Sequence, residues 1–287
     1  MLVSPSVYRL YSSEKSSNCQ CNFHSNCHSE AKRIPHHSND SLCLMPEQKF
    51  HTIKLLRKQM ISRDIMELWF ERPAGFRFNA GQFVRFEVPT PEGPVLRLYS
   101  ISSTPSDDYL EFCAKIIPQG KASTWFSQLT ESHEVKISSP QGVFVCRPEH
   151  AVSKMFVATG AGIAPIISMI EDRLQNSLGA IKLLFGIRTP ADIFWQERLA
   201  KLQTQFPNFY FQLTVSRPDE TWSGLSGRVT NHLKSSEFRV QSSELGTKNS
   251  ELRTEYYICG SVEMVKDVRS LLLAKRVDTH HIHFEIF

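Results

Sequence analysis

Thr159-Gly-Ala-Gly-Ile-Ala-Pro165, following the run Lys154-Met-Phe-Val-Ala158, nearly spells the glycine fingerprint of a dinucleotide-binding turn, with proline where the third glycine would stand. A buried strand ending in Thr-Gly-x-Gly before a helix gathers backbone N–H groups and a helix N-terminus around an anion, and glycines let a pyrophosphate come close. Proline suits the first helical position, where its missing N–H costs nothing and its fixed torsion fits the turn. Alone, the stretch is weak evidence and reads more readily as a plain strand-to-helix connection, so its surroundings decide.

Downstream the pattern alternates between strand and helix. Strands are expected at Lys154–Thr159, Ala180–Gly186, Tyr210–Ser216, Tyr256–Cys259 and Ile282–Phe287. Helices are expected at Ile163–Leu178, Phe194–Phe206, Val229–Lys234 and Val262–Lys275. This rhythm implies a parallel sheet with helices on both faces. Residues 235–254 break it: Ser-Glu-(Phe/Leu) recurs at Ser236, Ser243 and Ser250 without an apolar seam, and the segment reads as a polar insertion.

Upstream, short runs punctuated by turns (His51–Met60, Ile65–Glu71, Gly81–Val88, Arg97–Ser102, Tyr109–Ile116, Glu134–Ser138) predict a small antiparallel barrel. The expected organisation is a disordered extension over 1–46, a barrel domain over 47–148 and an α/β domain over 149–287. The extension is rich in Ser, Asn, His and Cys, and its C-x-C-x5-C-H cluster from Cys19 to His28 misses the paired spacing of zinc or iron–sulfur ligands, so no metal site is expected. Sense resumes at Met45, which reads as the natural start.

The chain of 287 residues carries a net charge of +4, too small and dispersed for nucleic acid but compatible with steering an acidic protein partner. The apolar run Met155–Ile170 is shorter than the roughly 20 residues that span a bilayer. Without the pattern of a secretory leader, the expected compartment is the cytoplasm.

Arg97-Leu-Tyr-Ser-Ile-Ser-Ser103 supplies the chemistry on the barrel side: an arginine fork for a pyrophosphate, an aromatic ring for a flat cofactor and a hydroxyl for a ring nitrogen. Strand alternation places Arg97, Tyr99 and Ile101 on one face, Leu98 and Ser100 on the other. A second anion-friendly turn, Pro118-Gln-Gly-Lys-Ala-Ser-Thr124, precedes a helical stretch from Trp125.

These motifs, with Pro140-Gln-Gly-Val-Phe144, Cys259-Gly-Ser-Val-Glu-Met264 and Phe284-Glu-Ile-Phe287, resemble in order those of the ferredoxin–NADP reductase superfamily over Phe50–Phe287. The resemblance implies an FAD-binding antiparallel β-barrel followed by an NAD(P)-binding α/β domain. It implies that Tyr99, beside Leu98, stacks on the isoalloxazine and that Ser100 contacts the reducible nitrogen. Arg97 and Ser123 would hold the FAD pyrophosphate on the Gly120-Lys121-Ala122-Ser123 turn. Thr159, Gly160, Gly162, Ile163 and Pro165 would form the nicotinamide-nucleotide turn, with Cys259, Gly260 and Met264 nearby. Cys259 would flank the hydride-donating carbon, Glu285 would relay a proton, and Phe287 would guard the flavin face. The competing readings are a solvated strand-end carboxylate for Glu285 and ordinary packing for Phe287.

Ser216, Arg217 and Arg228 match members that use NADPH, while Asp219 and Glu220 keep NADH open; Arg188 reads as a generic nucleotide contact. No cluster motif or flavodoxin-like domain is appended, so electrons are expected to leave to a separate acceptor, a small acidic ferredoxin or flavodoxin. The rivals are a reductase of free flavins or quinones and a flavin-binding subunit docked in a larger complex without turnover of its own.

Overall fold

Successive positions of β7 (Ser153–Thr159) point to opposite faces of a parallel sheet, and both faces are covered, so the strand is an almost unbroken apolar run. Phe156 and Ala158 pack under α2 (Ile163–Leu174) and α3 (Gln196–Gln205). Met155 and Val157 face α4 (Val229–Lys234) and α5 (Val262–Ala274). The computed structural model describes residues 49–147, 152–234 and 254–287. The expected extension and nearly all of the expected insertion lie outside the described residues.

The parallel sheet is completed by β8 (Ile181–Ile187), β9 (Phe209–Val215), β10 (Leu225–Ser226), β11 (Thr254–Gly260) and β12 (Ile282–Ile286), in the order β10-β9-β8-β7-β11-β12. Strand order reverses between β7 and β11, which opens a crevice at the carboxyl ends of these two strands.

The second sheet is antiparallel: β1 (Phe50–Met60), β2 (Ile65–Glu71), β3 (Phe83–Val88), β4 (Val95–Ser100), β5 (Tyr109–Lys115) and β6 (Glu134–Ser138), ordered β4-β3-β6-β1-β2-β5. An isolated bridge between Ile101 and Phe112 brings its two edges together. On β3, Val84, Phe86 and Val88 alternate inward. The Phe86 ring meets Phe112 at 4.9 Å and, on α1 (Lys121–Gln128), Phe126 at 5.3 Å. Removing a ring so enclosed costs about 3–5 kcal/mol.

Several expected boundaries shift: α1 begins at Lys121 and not at Trp125, and β4 spans Val95–Ser100 where Arg97–Ser102 was expected. α2 ends at Leu174 rather than Leu178, because the apolar run stops there and Gln175-Asn176-Ser177 turns, with Asn176 N–H donating to the Arg173 carbonyl. α2 starts at Ile163 as expected, after a 3-10 turn over Gly160–Gly162, which makes Pro165 its third residue and not its first. The third position is still within the first turn, where N–H groups have no partner in the helix.

Candidate active site

A cavity of about 900 Å³ opens between the two sheets, near the upper end of the size usual for ligand sites. On the barrel side its wall is Arg97, Leu98 and Tyr99 of β4. Along β4, Arg97 pairs with Phe86 and Tyr99 with Val84, so the two share a face as expected; Arg97 and Leu98 are nonetheless both exposed, because β4 is an edge strand. The Tyr99 ring is wedged edge-on against Phe86 (5.6 Å) and Phe126 (5.1 Å), and burial pushes its hydroxyl up to about 12.

On the α/β side the cavity is lined by Thr159, Gly160 and Gly162, then by Gly260 and Met264 across the β7–β11 crevice. The two glycines of the turn serve different ends. Gly160 has φ +54° and nothing near its missing Cβ, so glycine answers a backbone need. Gly162 lies against β11, where a Cβ would come within 2.5 Å of the Cys259 carbonyl oxygen. Close approach of two backbones fixes that glycine, whatever the cavity holds.

Arg188 after β8, Ser216 and Arg217 after β9, and Arg228 before α4 line the far end and are exposed. Two backbone bonds join these segments, Ser216 N–H to Ile187 O at 2.9 Å and Arg217 N–H to Arg188 O at 2.8 Å. Asp219 does not line the cavity; its carboxylate accepts from the Thr221 N–H and hydroxyl.

β11 and β12 pair so that Cys259 lies opposite Glu285. The Cys259 side chain is fully buried, not open to the cavity, and burial with the Glu285 charge raises its thiol well above the ordinary range. Burial also pushes the Glu285 carboxyl up to about 7, against a hydrogen bond with Ser100 that favours ionisation. Its second oxygen, Oε2, is buried without a partner. Phe287 lines the cavity and its N–H donates to the Gly260 carbonyl at 3.0 Å.

Other expected residues do not line the cavity. Ile163 and Pro165 are buried in α2. Gly120 is the N-cap of α1 without a side-chain cap, Lys121 pairs with Glu92 at 3.0 Å, and Ala122 is buried. Ser123 is also buried; its hydroxyl oxygen accepts from the Ile117 N–H at 2.9 Å, which ties α1 to the turn before it and leaves the hydroxyl hydrogen free to donate. Sequence reasoning missed Arg63, Cys113, Lys115, Asp192 and Phe194, all of which line the cavity.

The geometry suits a flavin and a nicotinamide nucleotide. Arginines stand at both ends, a positive-φ glycine turn lies at a strand-order reversal, and a carboxyl with an orphaned oxygen is aimed toward Ser100. Residues 52–146 match the family model described as an oxidoreductase FAD-binding domain, and residues 156–270 match the oxidoreductase NAD-binding domain. Ferredoxin–NADP reductase B of Sorangium cellulosum is 31% identical over 81% of this chain and 95% of its own length. The chain belongs to the ferredoxin–NADP reductase superfamily.

It is an FAD-dependent NAD(P)H reductase of that superfamily. A ferredoxin NADP+ reductase from Neisseria gonorrhoeae with bound FAD and NADP superposes with TM-score 0.71 at 29% identity, covering 84% of this chain and 99% of the other. The ferredoxin–NAD(P)+ reductase component of naphthalene 1,2-dioxygenase/salicylate 5-hydroxylase systems from Ralstonia sp. is 29% identical over 79% of this chain. The chain spans 65% of that relative's length. Among the described residues no helix is long and apolar enough to cross a membrane, and no group of side chains is arranged to hold a metal.

Proposed function

We propose that this reductase takes hydride from NADPH in preference to NADH and passes electrons to a separate acidic carrier, a ferredoxin or flavodoxin. The observation that carries the reading is the single cavity that joins the Arg97-Leu98-Tyr99 strand to the Gly160 turn and to Arg188, Arg217 and Arg228. A 2′-phosphate favours guanidinium forks at the end of the third parallel strand, where Arg217 lies. The net charge of +4 favours encounter with an acidic protein.

Bound FAD would accept the hydride's two electrons and release them one at a time. The chain's own residues bind, orient and gate. Tyr99 would offer its ring as a stacking face, and Arg97 would hold the pyrophosphate. With its carboxyl at about 7, Glu285 can keep a proton near neutral pH and hand it on through the Ser100 hydroxyl. Phe287 lines the cavity and would have to yield to the nicotinamide. Residues 47–148 would form the flavin domain and residues 149–287 the nucleotide domain.

The test is NADPH-driven reduction of an acidic ferredoxin or flavodoxin against free flavin or quinone. Faster turnover with the protein carrier, falling as salt is added, is the expected result. Equal turnover with small acceptors at all salt concentrations would favour the free-flavin reductase instead.

A further inference from the structure

One guanidinium joins the two halves of the molecule. Arg198 of α3 grips Glu171 of α2 with two parallel bonds, Nε to Oε1 at 2.7 Å and Nη2 to Oε2 at 2.9 Å. Its remaining Nη1 crosses to the barrel and donates to Glu111 Oε1 of β5 at 2.8 Å, with Glu67 Oε1 of β2 at 3.9 Å. The neighbouring Trp195 donates its indole N–H to the same Glu67 oxygen at 2.6 Å and lies under the guanidinium, 4.8 Å from ring centre to Cζ. Ser102 donates to Glu111 at 2.7 Å, and Ser168 of α2 donates to the Ser103 carbonyl at 2.6 Å.

The cluster borders the cavity. Glu67 pairs across the barrel strands with Cys113, and Ile65 with Lys115; Cys113, Ile65 and Lys115 all line the cavity, as does Phe194 beside Trp195. Hydride transfer between two rings held by different sheets requires near-attack contact, and a misplacement of ~1 Å costs on the order of 10²-fold. We propose that Arg198, with Glu67, Glu111 and Glu171 around it, is the joint that sets the flavin barrel against the nucleotide sheet, and hence a positioning residue for hydride transfer.

The proposal rests on the reductase reading above. Lysine in place of arginine keeps the charge but cannot form the paired bonds to Glu171 and reach Glu111 together. The joint also has a proton to lose. It holds three carboxyls against one guanidinium, and burial, then the charge of Glu111, push Glu67 up to about 7 against Trp195, Arg198 and Arg57. Cys113 faces Glu67 as well, and Asp107 faces Glu171. As pH rises through 7, Glu67 ionises opposite Glu111 and the joint loosens.

The experiment is anaerobic stopped-flow reduction of the FAD-loaded full chain by NADPH, comparing wild type, Arg198→Lys and Glu67→Gln between pH 6 and 9. For Arg198→Lys we expect a ten- to hundredfold fall in the limiting rate, with flavin content and NADPH dissociation constant within about twofold. For Glu67→Gln, which keeps the acceptor for Trp195, the part of the high-pH decline beyond that of Glu285 should vanish. Glu285 titrates in the same range but is common to both proteins, so the difference reports Glu67. A wild-type limiting rate in Arg198→Lys, or a fall matched by lost flavin, overturns the joint, as does an unchanged pH profile in Glu67→Gln. Wild-type protein that binds FAD yet is not reduced overturns the reductase reading and the joint with it.

Discussion

Replacing Glu285 by Gln should stabilise the flavin-free protein at pH 8 but not at pH 4.5. The wild-type carboxyl is raised from its ordinary 4.5 to about 7, chiefly by burial, and one oxygen has no partner. A carboxyl whose folded value exceeds its unfolded value contributes fully below the unfolded value. That contribution is lost as pH climbs through the folded value, because the unfolded chain ionises first. At about 1.4 kcal/mol per pH unit, the rise from 4.5 to about 7 corresponds to roughly 3 kcal/mol lost by pH 8. Glutamine never ionises and escapes the loss. Urea unfolding of both proteins at pH 4.5 and pH 8 measures the gap, and Glu67 cancels because it is common to both. A gap that is the same at the two pH values would refute a buried, protonated Glu285.

Gly162→Ala should destabilise by about 1–3 kcal/mol in thermal melts, because its Cβ meets the backbone of Cys259 and Gly260, which cannot step aside. Removing Arg217 and Arg228 together should raise the dissociation constant for NADPH and spare NADH; equal losses would mean that neither reads the 2′-phosphate. Phe287→Ala should tighten coenzyme binding, as read by flavin difference spectra, because the ring would no longer occupy the cavity. Burial would raise the Glu255 carboxyl, but bonds from His283 and His281, both 2.7 Å, hold it below the usual range and tie β12 to β11. Glu255→Gln should cost about 1–3 kcal/mol and speed hydrogen exchange in β12.

The elements legible in the sequence are those fixed by neighbours along the chain. The unbroken apolar run of β7 and the Gly-x-Gly turn after it carry their own backbone demands, as the φ of Gly160 shows. The 3-10 turn over Gly160–Gly162 is not legible in the sequence, because such a turn leaves no mark distinct from a helix start. Ser123 reads as a phosphate ligand by motif, but the bond its hydroxyl oxygen accepts from the Ile117 N–H is settled by turn geometry, which the motif does not announce. Burial of Cys259 likewise depends on β12 and on Gly162, which arrive from other parts of the chain. The Arg198 cluster was illegible for the same reason. Its partners lie 87 and 27 residues away, and lone charges in a sequence read as solvated surface until the fold pairs them.

The central claim is that this cavity transfers hydride from a nicotinamide nucleotide to a bound flavin. An anaerobic titration of the purified, FAD-loaded protein with NADPH, and in parallel with NADH, tests it most directly. Bleaching of the flavin bands at low NADPH, with NADH required in excess, is the predicted result. Bound flavin that neither coenzyme bleaches would contradict it.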